Sequence, residues 1–362
     1  MLTIFDKYII KKYLTTFFFS AFLFTMLSVV IDFSEKGTGL MESEATVSEI
    51  ITEYYVNFIP WINGILWPLF VLLAVVFFTS RLAKNSEIVA ALSAGMSFMR
   101  LLRPFMITAC ALAIILFVGN HYFIPEGNKA FRNFENTYIN PGNLKTKSEN
   151  VHIFLDPDSK IFIRNYRRSD TSMRGVFLEL FDDGQLVTLI KAERMKWQGP
   201  SGRWTLYDYQ IRTFFDDKES IVIGKGQSFD TTLNLLPKDF VRYKNQNEMM
   251  TSAELREFIA YENEKGLGKA RIMVTELHRR NADPFTIIIL TLIGVAVAAR
   301  NARGGVGVHL AIGVSIGALY IILSRFSITF ANQLPLPIGI SVWLPNIIFS
   351  LVAIVLVARA QK

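Results

Sequence analysis

A single cysteine, Cys110, stands in 362 residues, so no intrachain disulfide can form. Histidine is sparse too: His121, His152, His278 and His309 are scattered. With no His-Glu-x-x-His pair and no cysteine cluster, no metal site is expected. The Gly-x-x-x-x-Gly-Lys-(Ser/Thr) loop is missing, and Gly224-Lys-Gly226 is too short to replace it, so ATP phosphates are not cradled by that device. Ala91-Leu-Ser-Ala-Gly95 has the outline of a nucleophile elbow without its first glycine or a preceding strand, which leaves Ser93 outside a nucleophile's setting. No internal repeat, low-complexity tract or flexible linker stands out. These absences point away from an enzyme and from any bound cofactor.

Charge is also missing, but only locally. Of all residues 51% are hydrophobic, 30 of them Phe, and a membrane-spanning helix needs about 20 mainly apolar residues. Tyr13–Ile31, Phe58–Ser80 and Ile338–Ala358 contain no charge; Pro104–Ile124 and Val306–Ser324 each contain one ionisable group, His121 and His309. A shorter run, Pro284–Ala299, is flanked by Asp283 and Arg300 and completes a set of six. The first run exceeds a signal-peptide core of roughly 7–15 residues, and acids rather than a small-residue cleavage site follow it, so it is expected to stay as a permanent span.

Orientation follows from the cations. Outside 125–283 there are 13 Lys and Arg, and 11 fall in one alternating set of segments: Lys7, Lys11, Lys12, Arg81, Lys84, Arg100, Arg103, Arg300, Arg303, Arg359 and Lys362. Loop 32–57 carries six acids against Lys36 alone. Cations concentrate in short cytoplasmic loops, so both termini are expected to be cytoplasmic and 125–283 to face outward. The net charge of +7 then reflects membrane anchoring rather than nucleic-acid binding.

The predicted fold is therefore an α-helical membrane protein with six transmembrane helices and an all-β domain, jelly-roll or sandwich-like, inserted between helices 3 and 4. Residues 1–124 hold the first three spans and a short helix at 85–97, residues 125–283 the outer domain, and residues 284–362 the last three spans. Within the outer domain, 150–235 reads as β. VHIFL, KIFIRNY, GVFLELF, LVTLIKAERMKW, RWTLYDYQIRTF and SIVIGKGQSFDTTL are rich in β-branched and aromatic residues. The turn signals DPDS, FDDGQ, QGPSGR and FDDKES separate them. A helical return over 251–283 follows. Thr251-Ser-Ala-Glu254 fits a capping box, Gly266 and Gly268 break that helix, and Ala270, Met273, Val274 and Leu277 line a second helix running into Pro284.

The stretch NSEIVAALSAGMS, 85–97, lies between two spans on the expected cytoplasmic side. Asn85 or Ser86 suits an N-cap, and Glu87 then falls in the first turn, where the helix dipole favours an anion. Ile88, Ala91, Leu92 and Met96 form an apolar stripe, with small residues opposite. Gly95 can end the helix in the left-handed region and Ser97 can cap the next span. Two readings fit: an interfacial helix lying on lipid, or a docking helix whose small residues permit close approach and whose carboxylate meets a partner's Arg.

Ser86-Glu-Ile-Val-Ala-Ala-Leu-Ser-Ala-Gly-Met-Ser97 resembles the Ser-Glu-(Leu/Ile)-x-x-(Met/Leu)-x-(Ala/Ser)-x-Gly-(Met/Phe/Leu)-(Ser/Thr) element of the LptF/LptG lipopolysaccharide-export permeases. Asp6-Lys-Tyr-Ile-Ile-Lys11 is similar to that family's opening, and Pro125-Glu-Gly127 with Arg132-Asn133 to its region after the third span. The order of these elements matches over nearly the whole chain. The Asp6 opening and the end at Lys362 without a long basic tail are more similar to the LptG branch than to LptF.

The resemblance implies an ABC exporter that extracts lipopolysaccharide from a bacterial inner membrane. Its partners would be a dimer of an LptB-like ATPase, an LptF-like second permease, an LptC-like single-span protein and an LptA-like periplasmic protein. The element at Ser86, Glu87, Ala91 and Gly95 would be the coupling helix, with Glu87 touching the ATPase. Lys36 and Arg132 sit where the family places lipid-contacting basic residues; Arg325 rests on position alone and is expected to contribute less. Pairing of Lys36 with Asp32 or Glu35, and of Arg132 with Glu126 or Glu135, is the competing account of the same residues. Phe17, Phe18, Phe19, Phe22 and Phe24 offer an apolar wall to acyl chains. An ABC permease for another lipid or a peptide, or a membrane-anchored scaffold, would share much of this layout.

Overall fold

The computed structural model describes residues 2–139, 144–146, 149–167, 169–199, 203–215, 218–237, 240–243, 245–264, 270–299 and 305–360. Arg300, Arg303 and Lys362, used above for orientation, and the helix-breaking Gly266 and Gly268 lie outside them. The chain divides into two compact units. One comprises Met1–Ile139, Asn247–Ser252 and Val274–Lys362, the other Asn140–Gln246 and Ala253–Met273.

The first unit is helical. α1, Ile4–Glu42, starts at Thr3, whose hydroxyl accepts from the Asp6 amide while the Asp6 carboxylate accepts from the Thr3 amide, a closed capping box. Ile9, Tyr13 and Phe17 recur at the helical period and are buried; Phe18, Phe19 and Phe22 on the other faces are exposed. The five-Phe wall is thus divided, with Phe17 and Phe24 packing inward. After a short turn, α2, Val47–Glu49, opens with a second capping box, Thr46 and Glu49. It continues through a π-helical turn, Ile50–Tyr55, into α3, Val56–Lys84. α4, Glu87–Ser93, and α5, Phe98–Val118, follow. A second π-helical turn, Gly119–Phe123, leads into α6, Ile124–Phe134. In the return, α7 is Gln246–Met249, α9 Ala270–Ala298, α10 Gly305–Gln333 and α11 Ile338–Ala360, while α8, Ser252–Glu264, falls in the second unit apart from its first residue.

Six of these helical stretches are long and apolar enough to cross a membrane, matching the six expected runs in order. Most extend well beyond the runs themselves. α1 has 39 residues, about 58 Å at 1.5 Å per residue, against a hydrocarbon thickness of about 30 Å. α9 passes through Pro284 without breaking, so the helix expected before that proline and the span after it are one. Polar residues hold spans together where lipid supplies no hydrophobic drive. The hydroxyls of Tyr13 and Thr291 lie 2.9 Å apart, Tyr320 donates to Asn346 Oδ1 at 2.8 Å, and Asn346 Nδ2 donates to the Ala282 carbonyl at 2.8 Å. α10 approaches α3 at Gly313 and Gly317: a Cβ there would meet Val76 at 3.0 Å and Leu69 at 3.2 Å.

The second unit contains a six-stranded antiparallel sheet and a two-stranded pair. β1, Leu144–Thr146, pairs with β8, Val241–Tyr243. Between them come β2, Glu149–Asp156; β3, Ser159–Arg167; β4, Ser172–Asp182; β5, Gln185–Trp197; β6, Arg203–Phe215; and β7, Lys218–Thr232. All six expected strands are present, in the sheet order β2-β3-β4-β5-β6-β7. The short turn signals account for this order, because tight turns pair consecutive strands. The β domain is thus a meander with one core face. Ile161 and Ile163 are fully buried while Arg164 is exposed, as alternation requires. Gly175, at φ +62°, resets the phase of β4, so Met173 and Val176 both face the core. Leu235, Phe240 and Tyr261 close that core, and the Trp204 indole donates to the Leu235 carbonyl at 2.9 Å. In the turn before β4, the Ser172 hydroxyl donates to Asp170 at 2.8 Å and holds its carboxyl below the usual range.

Candidate functional site

The sequence-predicted residues fall at two places in the helical unit. Thirty residues of continuous α1 separate Asp6, beside the first, from Lys36, in the second, about 45 Å along the helix.

The first place is α4. Ser86 precedes it in the left-handed region (φ 62°, ψ 11°) and makes no side-chain cap; its contribution is the reversal of the chain. Asn85 instead donates to Glu87 Oε1 at 3.2 Å, and the Tyr8 hydroxyl reaches Glu87 Oε2 at 3.4 Å. Both donors are neutral and both contacts long. Among the described residues no cation pairs with Glu87. Ile88 is buried, and Ala91 and Met96 are half-buried, but Leu92 is 37% exposed, so the expected stripe is narrower than its pattern implied. In a helix of seven residues only one face can reach the core, and Val89, Ala90, Leu92, Ser93 and Ala94 are left outside. Gly95 ends the helix at φ +89°, as expected. A Cβ there would touch nothing within 4 Å, so backbone conformation alone calls for glycine. Ser97 caps α5 by accepting from the Arg100 amide at 3.2 Å.

The second place gathers the three expected cations. Lys36 lies inside α1 rather than after it, and Arg132 lies in the last turn of α6. They share one carboxylate: Lys36 Nζ is 3.0 Å from Glu135 Oε1, and Arg132 is 2.7 Å from Oε2. Lys36 also pairs with Asp32 at 3.2 Å and donates to the Tyr54 hydroxyl at 2.9 Å. Arg132 pairs with Glu248 at 3.4 Å, and its guanidinium lies 5.0 Å from the centres of the Trp61 and Phe131 rings. Two cations therefore face three carboxylates. Of the partners foreseen in the sequence, Asp32 and Glu135 are the ones used; Glu248 enters from α7, 116 residues from Arg132.

Arg325 differs. α10 continues past it to Gln333, and its guanidinium makes no hydrogen bond or ion pair among the described residues. It lines two small cavities of about 50 Å³ each. One is shared with Trp61, Asn120, Glu248 and Arg279, the other with Arg279 and Asp283. Each has room for a water molecule. Through Glu248 and Arg279 the three cations thus border one connected polar region.

Sequence reasoning missed the α9 part of this region. Glu276 pairs with Arg279 at 2.7 Å and with Arg280 at 2.8 Å, and Arg279 pairs with Asp283 at 2.8 Å. Arg280, 1% exposed, also donates to the Asn247 carbonyl and the Ser252 hydroxyl. The signal was present as Glu276-x-x-Arg279-Arg280-x-x-Asp283, an i,i+3 and i,i+4 ladder running straight into an apolar span.

Six apolar helices, with an antiparallel sheet between the third and fourth along the chain, define a multi-pass membrane protein. The chain belongs to the family of lipopolysaccharide export system permeases LptF/LptG, whose sequence model matches residues 7–359. It is 20% identical over 351 residues to the lipopolysaccharide export system permease protein LptG of Haemophilus influenzae, covering 96% of each chain. It is also 20% identical over 358 residues to the protein of that name from Escherichia coli K12, covering 98% of each.

Proposed function

We propose that this chain is one permease subunit of an ABC exporter that takes lipopolysaccharide out of the inner membrane and hands it to a periplasmic bridge. ATP hydrolysis belongs to a cytosolic LptB-like dimer docked on α4. The observation that carries the reading is Glu87, a half-buried carboxylate in the first turn of α4 with only neutral, long hydrogen bonds, set beside exposed Val89, Ala90, Leu92 and Ala94. A docking groove with one Arg would complete it, by close packing and a charge-assisted hydrogen bond. An interfacial helix lying on lipid would have less use for a carboxylate on the rim of its apolar face.

In this reading both termini and α4 are cytoplasmic, and the β domain is periplasmic, receiving acyl chains along its meander. An LptF-like permease is the second half of the cavity, an LptC-like single-span protein joins the complex, and an LptA-like protein accepts the lipid. Phe18, Phe19 and Phe22 face acyl chains on the exposed side of α1. Lys36, Arg132 and Arg325 meet the phosphates, the first two by exchanging a carboxylate for a phosphate.

The test is reconstitution with the ATPase and second permease in lipopolysaccharide-containing vesicles. Glu87→Lys should abolish ATP-dependent lipid release and weaken ATPase retention by about tenfold or more, because a buried cation would face a cation. Unchanged release and retention would refute the docking helix. Release of a different lipid at equal yield would point to an exporter of other specificity.

A further inference from the structure

We propose that the first turns of α1 strap the coupling element to the membrane-spanning part of the chain, with Asp6 and Arg100 as positioning residues. Movement of α4 is thereby passed directly to α1. The inference rests on the reading of α4 as the ATPase-docking helix and adds the route by which its movement leaves it.

α4 is weakly held by its own packing. It has seven residues, too few for stability in isolation, and Ile88 alone among them is buried. α1 adds a hold on either side of it. Arg100, in the first turn of α5, donates from Nη1 to Asp6 Oδ1 at 2.6 Å, and from Nη2 to Asp6 Oδ2 at 2.9 Å and to the Thr3 hydroxyl at 3.2 Å. Asp6 is 0% exposed, although it sits beside the chain's first turn. Its Oδ2 also accepts from the Thr3 amide, so both oxygens are committed. Two residues further along, the Tyr8 hydroxyl reaches Glu87 while its ring packs edge-on against Phe78 of α3 at 6.3 Å. Asp6 and Tyr8 thus touch both flanks of the element: Glu87, which opens α4, and Arg100, in the helix that leaves it.

A bidentate Arg–carboxylate pair fixes orientation as well as distance, and Lys in place of Arg would keep the charge but lose the fork. The same face of α1 then enters the core through Ile9, Tyr13 and Phe17. Between Phe17 and Asp32 the helix is more lightly held, with Phe18, Phe19, Phe22, Leu27 and Val30 all at least half exposed, and Lys36 and Leu40 hold its far end again. A rod held at both ends and lighter in its packing between them turns a small displacement at α4 into a tilt or bend of its middle.

The experiment uses the complete complex, with ATPase and second permease, in vesicles containing lipopolysaccharide. If the parent chain retains no ATPase, the docking reading itself has failed, and this is established before any variant is compared. For Asp6→Asn and Arg100→Gln we expect assembly and ATP hydrolysis within about twofold of the parent, while lipid released per ATP falls about tenfold, a coupling loss of ordinary size. Arg100→Lys should lie between. Lipid per ATP unchanged, or hydrolysis falling in step with release, overturns the proposal. Should these variants fail to assemble, the parent sequence carrying Cys110→Ser decides, with spin labels at Lys11→Cys and Ser93→Cys. Their separation should stay constant between ADP-bound and ATP-bound states. A change of more than about 5 Å, one helical turn, shows α4 moving independently of α1 and overturns the strap.

Discussion

Glu135 divides its two oxygens between Lys36 and Arg132 and is 8% exposed. Replacing it with Ala leaves two cations facing each other across a space that excludes most water. Breaking a fully buried pair costs about 3–5 kcal/mol; because Lys36 keeps 27% of its side chain exposed, Glu135→Ala should cost about 1–3 kcal/mol. The midpoint of thermal unfolding in detergent reads this directly, and Glu135→Gln should lose less. The same pairing changes what is expected of the cations. A phosphate gains at Lys36 or Arg132 only by displacing a carboxylate, whereas among the described residues none is bound to the Arg325 guanidinium. Arg325→Ala should therefore weaken retention of lipopolysaccharide about fivefold, an exposed-pair effect, and Lys36→Gln should weaken it less while lowering stability more. Binding of radiolabelled lipopolysaccharide to the purified complex separates the two outcomes. Equal retention by Arg325→Ala and the parent would remove Arg325 from the lipid path.

At the level of elements, two glycines have separate reasons to be glycine. Gly313 lets α10 lie against Val76 of α3, and a Leu there has no space without parting the helices. Gly313→Leu should destabilise by about 1–3 kcal/mol, the usual cost of overpacking, seen as a lower unfolding midpoint. Gly95 meets no side chain but sits at φ +89°. Gly95→Ala should cost about 1–2 kcal/mol of local stability at the end of α4, which hydrogen exchange of that segment would detect while the midpoint of the whole protein moves little.

At the scale of the molecule, the proposed orientation makes a simple demand. In a Cys110→Ser background, a membrane-impermeant thiol reagent added to spheroplasts should label Asp183→Cys, an exposed position in the β4–β5 turn, and should spare Ser93→Cys until the membrane is opened. The reverse pattern would invert the topology and place the proposed docking surface on α4 on the wrong side.

What the sequence determined by itself was whatever depends on local pattern. Uncharged runs of span length marked the six helices, because a bilayer demands satisfied backbone and apolar side chains over a fixed thickness. Alternation and turn residues marked the six strands, since side-chain period and tight turns are local properties. Gly95 ended one helix and Ser97 began the next, as their chemistry required. The local pairs Lys36–Asp32 and Arg132–Glu135 were legible at their helical spacing, and tertiary structure alone decided which distant charges meet. Lys36 and Arg132 are 96 residues apart yet share Glu135, Asp6 finds Arg100 across 94 residues, and Glu248 reaches Arg132 across 116. Coulomb attraction ignores chain distance, and a distant salt-bridge partner is chosen by whichever helices pack side by side, so the sequence could pair neighbours on one helix but not ions far apart in the chain. The same holds for Leu92: its place in the stripe was legible, but its exposure depended on how little of so short a helix the neighbouring spans could cover.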